Sequence, residues 1–252
     1  MRWVYYFLCV ISLLLEPKIY SESNTPLLMD LDLINSKNVR VLQDLDYQNL
    51  KARVLRQLER SWCSQEKGRL IMDFVVLGRP SICVEIGVFS GATLLPIAAV
   101  LKFLGEGDVY AIDPWSNQEA TVNMEMGDPN RAWWLEVDFD AAYRSFQALL
   151  LKWQLSPYCH VMRLNSEKAI KYIKTIDFLH LDGDYSAQGF IRDVELYLPK
   201  VRKGGYILLS NLLLTVHDEQ PKMAALDRLL DDCEIVHELD HGNSLLLRKI
   251  ID

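Results

Sequence analysis

From residue 81 onward, short apolar runs alternate with segments that carry apolar residues at helical spacing, and few folds accommodate such a pattern. The predicted strands are 81–86, 108–112, 159–163, 176–181 and 205–209. The predicted helices are 92–104, 140–155, 166–173, 187–198 and 220–230. Strands that alternate with helices form a mostly parallel sheet with helices on both faces. We therefore predict a doubly wound α/β fold of the Rossmann-like kind.

The C-terminal residues add two strands of a different kind. Residues 233–239 and 244–248 are apolar runs separated by only the four residues 240–243. A loop this short predicts a β-hairpin. The hairpin would complete a seven-stranded sheet and place one antiparallel strand in it.

The chain divides into predicted parts along its length. These parts are a targeting-like segment at 1–23, a polar linker or arm at 24–46, and a single domain at 47–252 with N-terminal helices at 47–80 and a core at 81–252. Ser64 is the candidate N-cap of the second N-terminal helix. These two helices could cover a ligand pocket or support a homodimer.

The first 23 residues are unlike the rest of the chain. Arg2 precedes an apolar run over residues 3–15, and Pro17 and small residues follow. The run is short for a membrane span and is typical of a signal peptide. The alternatives are an uncleaved anchor, which would tether the chain through residues 1–20, and translation from Met29. A signal peptide or an anchor predicts export or membrane tethering, whereas translation from Met29 predicts a cytoplasmic protein.

Charge and cysteine content exclude several classes of function. The 252 residues carry a formal charge of -7, and no Lys/Arg stretch could follow a phosphate backbone, so we expect no nucleic acid as substrate. A small molecule or a protein side chain fits better. The five cysteines form no CxxC or zinc spacing, and a chain of this length needs no disulfide framework. We interpret them as free structural thiols.

The first candidate site follows the strand at 81–86. Val84-Glu85-Ile86-Gly87-Val88-Phe89-Ser90-Gly91 ends a strand, turns at glycines and begins a helix, whose N-terminus favours a carboxylate or phosphate. The pattern differs from the GxGxxG motif that fits a pyrophosphate. Asp113 ends the next strand, where an acidic side chain can accept hydrogen bonds from ribose hydroxyls.

Four motifs in register resemble the class I S-adenosylmethionine-dependent methyltransferases, nearest the branch of the catechol and caffeoyl-CoA O-methyltransferases. They are residues 84–93, Ile112-Asp113-Pro114-Trp115, Leu181-Asp182-Gly183-Asp184 and residues 198–209 with Gly204-Gly205. The likeness extends from residue 64 to residue 249. The terminal hairpin is also similar, because this fold ends in an antiparallel strand.

The resemblance implies a cofactor, S-adenosylmethionine, and a set of residues around it. Glu85, Gly87, Val88 and Gly91 would shape the cofactor turn, Phe89 and Thr93 would lie near the methionine part, Asp113 would hold the ribose, Trp115 would flank the adenine, and Asp182 would lie beside the methyl group. Ser166 follows the third strand, where relatives contact adenine. It is equally well explained as a helix N-cap.

The metal site and the base depart from the family pattern. In metal-dependent relatives the residue matching Asp182 binds a divalent cation with an Asp-Asn pair, which is Asn211-Leu212 here. Mg²⁺ prefers carboxylates and water, so the Asn211-Leu212 pair argues against a metal site. The candidate ligands that remain are Asp182 and Asn211, and Asp184 could replace the missing carboxylate.

Tyr185 stands where relatives often have Lys or His. The candidate bases are Tyr185, Asp182, His180 and His217, of which His180 reads better as a core residue.

The acceptor pocket is predicted from composition. Residues 116–136 are polar and loop-like, and their Met124, Met126, Trp133 and Trp134 could line an apolar pocket or simply pack an insertion. The leading hypothesis is methylation of a small molecule on oxygen. The alternatives are a non-catalytic S-adenosylmethionine-binding protein, which the Asn211-Leu212 pair favours, and a nicotinamide-dependent oxidoreductase.

Overall fold

A computed structural model describes residues 39–215, 220 and 222–252. The signal-like segment, the first part of the arm, Met29 and His217 lie outside the described residues. Within the described part of the chain, no helix is long and apolar enough to cross a membrane.

Sixteen helices and strands make up the described fold, besides short 3₁₀ turns. The helices are α1 Leu45–Leu58, α2 Gln65–Gly78, α3 Leu94–Leu104, α4 Asn117–Thr121, α5 Pro129–Glu136, α6 Phe139–Trp153, α7 Ser166–Ala169, α8 Ala187–Tyr197 and α9 Met223–Leu230. The strands are β1 Ile82–Ile86, β2 Asp108–Ile112, β3 Cys159–Met162, β4 Ile176–Leu181, β5 Val201–Ser210, β6 Cys233–Leu239 and β7 Ser244–Lys249.

The seven strands form one sheet in the order β3-β2-β1-β4-β5-β7-β6. The pairs from β3 to β5 are parallel, whereas β7 runs antiparallel to both β5 and β6. The prediction of a mostly parallel sheet with one antiparallel strand from a C-terminal hairpin is therefore confirmed. The order reverses between β1 and β4, and ligands of open α/β sheets bind where the order reverses.

The sheet buries apolar side chains on both faces. On one face, a cluster that includes Leu70, Leu94 and Phe146 joins the sheet to α2, α3 and α6. On the other face, a second cluster that includes Phe190 and Leu226 joins it to α8 and α9. Because the central strands are covered on both sides, they consist of continuous apolar runs.

The N-terminal helices dock on the first face through a polar contact as well as apolar ones. Ser64 caps α2 by accepting a hydrogen bond from the backbone N–H of Lys67, as predicted. The Tyr47 hydroxyl of α1 donates to Oδ1 of Asp73 in α2 at 2.6 Å, and the ammonium of Lys51 lies 2.6 Å from the same oxygen. These buried contacts fix α1 on α2 beside the rim of the sheet.

Residues 116–136 are not the loop that we expected. They contain α4, capped by the Ser116 side chain, and α5, capped by Asp128 with a proline in its first turn. The prediction was wrong because both start signals were overlooked. Ser116 with Glu119 three residues later is a capping-box pattern, and Asp128-Pro129 is a cap followed by the proline favoured at the first helical position.

The thiols behave as expected for structural cysteines. Cys63, Cys83, Cys159 and Cys233 are free and buried. Burial raises the pKa of Cys63 and of Cys159 to about 12. Neither thiol is therefore a nucleophile at neutral pH.

Candidate functional site

The candidate site lies where the carboxyl ends of β1, β2 and β4 meet. The N–H of Gly87 donates to the Ile112 carbonyl oxygen at 3.0 Å, and the N–H of Asp182 donates to the Ile86 carbonyl oxygen at 3.0 Å. These two bonds join the residues just beyond the strands. Three motifs that are far apart in sequence are thereby held together.

The turn after β1 has a backbone that suits glycine at two positions. Gly87 and Gly91 both have φ of +85°. A Cβ at Gly87 would lie 2.4 Å from the Asp182 carbonyl oxygen, and one at Gly91 would lie 2.6 Å from the ring of Phe146. Gly87 therefore lets two strand ends approach each other, and Gly91 lets α6 approach the turn.

Asp113 holds this turn in place from the end of β2. Its Oδ2 accepts the N–H of Phe89 at 2.9 Å, and its Oδ1 accepts the N–H of Trp115 at 2.7 Å. Phe89 and Trp115 both have left-handed backbones, with φ of +50° and +46°. Burial raises the pKa of Asp113, and these backbone N–H groups oppose the rise. The carboxylate therefore stabilises two strained residues, while each of its oxygens retains capacity for a further donor.

A cavity opens at this sheet edge, between the strand ends and the segment 116–136. The predicted site residues that line it are Glu85, Gly87, Val88, Phe89, Thr93, Asp113, Ser166, Asp182, Asp184 and Tyr185. The structure thus brings together residues that are separated by up to about a hundred positions in the sequence.

Two of the predicted cofactor-binding residues lie outside the cavity. Gly91 shapes the turn behind it, and Trp115 is buried in the core, where its ring stacks on Phe146 with centroids 5.5 Å apart. The Trp115 indole N–H donates to the carbonyl oxygen of Phe89 at 2.7 Å. The expectation that Trp115 flanks the adenine is corrected, because its left-handed backbone turns the ring inward.

Ser166 lines the cavity but is not a helix cap. The N-cap of α7 is Asn165, whose side chain accepts the N–H of Lys168 at 3.1 Å. The capping alternative for Ser166 was therefore wrong by one residue. Asn165 and Glu167 line the same end of the cavity.

The two remaining candidates, Asp184 and Tyr185, interact with neighbouring residues. Asp184 accepts the N–H and the hydroxyl of Ser186 through Oδ1, and the side-chain amide of Asn123 through Oδ2 at 2.7 Å. Asp184 thus organises the start of α8 and ties the segment 116–136 to the site. Burial raises the pKa of Tyr185 well above its usual value, as do the charges of Asp182 and Asp113. The Tyr185 hydroxyl is consequently protonated at neutral pH and is a poor base.

An aromatic wall closes the outer side of the cavity; we define it as Trp62, Phe89, Trp134, Phe139 and Tyr185. Trp62 stacks on Phe89 with centroids 4.8 Å apart and planes 5° apart, and Trp134 stacks on Phe139 at 5.7 Å. All five side chains line the cavity.

The four apolar residues singled out in the segment 116–136 lie in different surroundings. Trp134 lines the cavity, and Trp133 is half-exposed against Trp62. Met124 is buried in the core, whereas Met126 is exposed. Packing thus explains Met124, whereas Met126 does not line the cavity.

Comparison with known proteins identifies the family. A family model described as a methyltransferase domain matches residues 84–212, about half of the chain, and this range contains every strand end of the site. The chain belongs to this methyltransferase family. The resemblance to class I S-adenosylmethionine-dependent methyltransferases is therefore confirmed. A search of curated protein sequences found no match.

Solved methyltransferase structures share the fold at low sequence identity. The O-methyltransferase NovP is 16% identical, with a TM-score of 0.57, and the alignment covers 74% of this chain and 81% of NovP. TomG from Streptomyces achromogenes, solved in complex with SAM, is 13% identical with a TM-score of 0.54 over 89% of this chain and 100% of TomG. A caffeoyl-CoA O-methyltransferase candidate from Staphylococcus aureus is 11% identical with a TM-score of 0.54 over 85% and 100%.

The chain has a buried polar pair, Glu85 and His180, and Glu85 lines the cavity. Glu85 and His180 are buried, with His180 Nδ1 3.6 Å from Glu85 Oε1 and His180 Nε2 2.9 Å from the Ser210 hydroxyl. Glu85 Oε2 and His180 Nδ1 have no hydrogen-bond partner among the described residues. Burial raises the pKa of Glu85, and the contact with His180 opposes the rise. His180 is thus a core histidine, as predicted, although only one of its ring nitrogens has a partner.

Two candidate functional groups, Lys222 and Asp193, were not predicted from the sequence. Lys222 is fully buried, and its ammonium lies 3.1 Å from Oδ1 of Asp182. Burial of Asp182 opposes its ionisation, but the charge of Lys222 keeps the pKa of Asp182 below its usual value. Asp193 is buried beside Ser166 and lines the cavity, and burial raises its pKa to about 7. Neither residue lies in a family motif or beside a strand end, so no sequence signal marked them.

Proposed function

We propose that this chain transfers the methyl group of S-adenosylmethionine to an oxygen of a small aromatic molecule. The observation that carries the proposal is one continuous cavity. It is lined by the turn after β1, by Asp113 and Ser166, by Asp182 and by the aromatic wall. A cofactor and an acceptor would therefore share this cavity.

The cofactor end of the cavity supports S-adenosylmethionine by its chemistry. Glu85 lines the cavity, and its Oε2 is buried and lacks a donor among the described residues, so a ligand ammonium such as that of methionine would satisfy it. The carboxylate of Asp113 can accept further bonds from ribose hydroxyls.

The acceptor end supports proton transfer from a hydroxyl. S-adenosylmethionine, when bound, supplies a methyl group on a positively charged sulfur. Asp182 is ionised, because Lys222 keeps its pKa low, and its side chain is 18% exposed to the cavity. Among the described residues no donor contacts its Oδ2, so this oxygen can hold an acceptor hydroxyl and accept its proton. Positioning donor and acceptor together can lower the barrier by about 7–11 kcal/mol in favourable cases.

The aromatic wall supports a planar apolar acceptor. Aromatic rings prefer offset-stacked or edge-to-face partners, and each such pair adds about 0.5–1.5 kcal/mol beyond burial. The wall already contains stacked and edge-to-face pairs, including Trp134 with Phe89 at 6.3 Å and 89°. We therefore propose a phenol as the acceptor class. The net charge of -7 disfavours a nucleic-acid acceptor.

The test is calorimetric titration of the protein with S-adenosylhomocysteine. We expect micromolar binding that Asp113→Ala abolishes, whereas Asp231→Ala, which removes a carboxylate exposed to 73%, leaves it intact. Circular dichroism would show that both variants are folded. Absence of binding to the folded wild-type protein would refute the proposal, and binding of NAD instead would favour an oxidoreductase.

Turnover separates an enzyme from a non-catalytic binding protein. A panel of phenols and matched aliphatic alcohols would be incubated with S-adenosylmethionine, and S-adenosylhomocysteine formation would be measured. We expect turnover with phenols only. Cofactor binding without turnover of any acceptor would support the non-catalytic alternative.

A further inference from the structure

The fully buried lysine beside the site is fixed by oxygen atoms on one side. Lys222 directly precedes α9, and its ammonium lies 3.1 Å from Asp182 Oδ1 and 2.9 Å from the Ser210 carbonyl oxygen. Two acceptors at these distances hold the charge in one position. The ammonium lies behind the carboxylate rather than in the cavity, because Lys222 does not line it.

Aromatic rings cover the other sides of the same ammonium. It lies 4.9 Å from the ring centroid of Tyr185 and 4.7 Å from that of Phe190. Cations are attracted to the negative faces of such rings, and more strongly where water is excluded. Two oxygens and two rings form a cage that suits an ammonium ion.

The same surroundings do not fit a divalent metal. Mg²⁺ requires oxygen ligands in near-octahedral arrangement, and Ca²⁺ requires six to eight oxygens. Asp182 Oδ1 instead accepts hydrogen bonds from both Lys222 and the Asn211 side-chain amide, which lies at 2.7 Å. Leu212 is buried, and the described residues contain no group of three or more His, Cys, Asp or Glu able to hold a metal ion.

We infer that the Lys222 ammonium supplies at Asp182 the positive charge that a divalent cation supplies in metal-dependent relatives, so that the site works without a metal. The inference rests on the proposed function for its role in methyl transfer. Lys222 is a positioning residue, because it touches Asp182 and not the cavity. Its ammonium balances the Asp182 charge and orients the carboxylate through Oδ1, which leaves Oδ2 to receive the acceptor.

The first test measures metal binding without cofactor or acceptor. The full chain would be titrated with Mn²⁺ and followed by electron paramagnetic resonance. We expect no bound Mn²⁺ in the wild-type protein, and an initial rate of methyl transfer that does not change when EDTA is added. Bound Mn²⁺ that Mg²⁺ displaces and that Asp182→Asn abolishes would overturn the inference. Because Mn²⁺ binding is measured without cofactor and without turnover, failure of the proposed function would be recognised separately.

The second test asks whether the charge of Lys222 matters or only its volume. Lys222→Ala should lower the melting temperature, and methylammonium should restore part of the loss where methanol, a neutral molecule of similar size, does not. Equal effects of methylammonium and methanol would overturn the inference. If Lys222→Ala does not fold, Lys222→Met provides the comparison, because it keeps most of the volume and removes the charge: a lower kcat at saturating cofactor with unchanged affinity for S-adenosylhomocysteine supports the inference, and an unchanged kcat overturns it.

Discussion

The α-carbon of Gly87 lies so close to Asp182 that a Cβ atom there would be 2.4 Å from the Asp182 carbonyl oxygen. Gly87→Ala should therefore be costly in two ways. Its φ of +85° should cost about 1–2 kcal/mol for a residue with a Cβ. The contact with backbone should cost a further 1–3 kcal/mol or so, by analogy with overpacked cores. Urea unfolding measures the sum, and calorimetry should show that binding of S-adenosylhomocysteine is lost.

Gly105→Ala is the matched control for this prediction. Gly105 ends α3 with a φ of +71°, and a Cβ there would have no atom within 4 Å. The Gly105→Ala substitution should show only the conformational cost of the positive φ and should leave cofactor binding intact. Equal destabilisation by the two substitutions would mean that the approach of Gly87 to Asp182 can relax.

The strand ends of the site could be predicted from sequence because the rule that places them is local. Each apolar run ends at a recognisable residue, Gly87, Asp113 or Asp182, and parallel strands bring their carboxyl ends to one edge of the sheet. The conformation of single residues was not predictable in this way. Trp115 is the last residue of the second motif, yet its φ of +46° turns the ring into the core.

Lys222 shows why the rest of the site was not found. It lies forty residues after Asp182 and precedes an amphipathic helix, where lysines are usually solvent-exposed. Only tertiary packing of α9 against β5 and α8 buries it. Asp193 was missed for a similar reason, because it lies on the buried face of α8 and reaches the site only once this helix is packed.

Asp193 should make the stability of the protein depend on pH. Its pKa is raised from 3.8 to about 7 in the folded state, so the folded protein holds a proton that the unfolded chain releases. Stability should therefore be highest below the unfolded pKa and should fall as pH rises toward about 7, by up to roughly 4 kcal/mol. Asp193→Asn removes this contribution and should be more stable than wild type above pH 7.

Urea unfolding at several pH values between these limits would measure the effect of Asp193. Other carboxyls also titrate in this range, and the difference between the two proteins isolates Asp193. Asp231→Asn, on the surface of the molecule, should follow the wild-type curve. Parallel curves for Asp193→Asn and wild type would show that Asp193 ionises normally in the fold.

Trp134 should matter for the acceptor more than for the cofactor. Its ring contacts Phe139 at 5.7 Å and Tyr185 at 5.2 Å within the aromatic wall. Trp134→Ala should weaken phenol binding about 3- to 10-fold, the equivalent of one aromatic pair, with little change in affinity for S-adenosylhomocysteine. Saturation-transfer NMR and calorimetry measure the two affinities. Trp153→Ala, outside the cavity, should change neither, and a larger loss for the cofactor than for phenol would place the acceptor elsewhere.

Tyr185 and Asp182 should differ in their effect on methyl transfer, because only one of them is ionised at neutral pH. Burial and the neighbouring carboxylates raise the pKa of Tyr185, whereas Lys222 lowers that of Asp182. Asp182→Asn should therefore lower kcat by about 100-fold or more, as expected for loss of a general base. Tyr185→Phe should lower kcat far less, since it removes a hydroxyl that stays protonated and keeps the ring of the aromatic wall. Initial rates with the best phenol would be compared at saturating cofactor. A loss of kcat in Tyr185→Phe as large as in Asp182→Asn would identify the tyrosine hydroxyl, not the carboxylate, as the group that receives the proton.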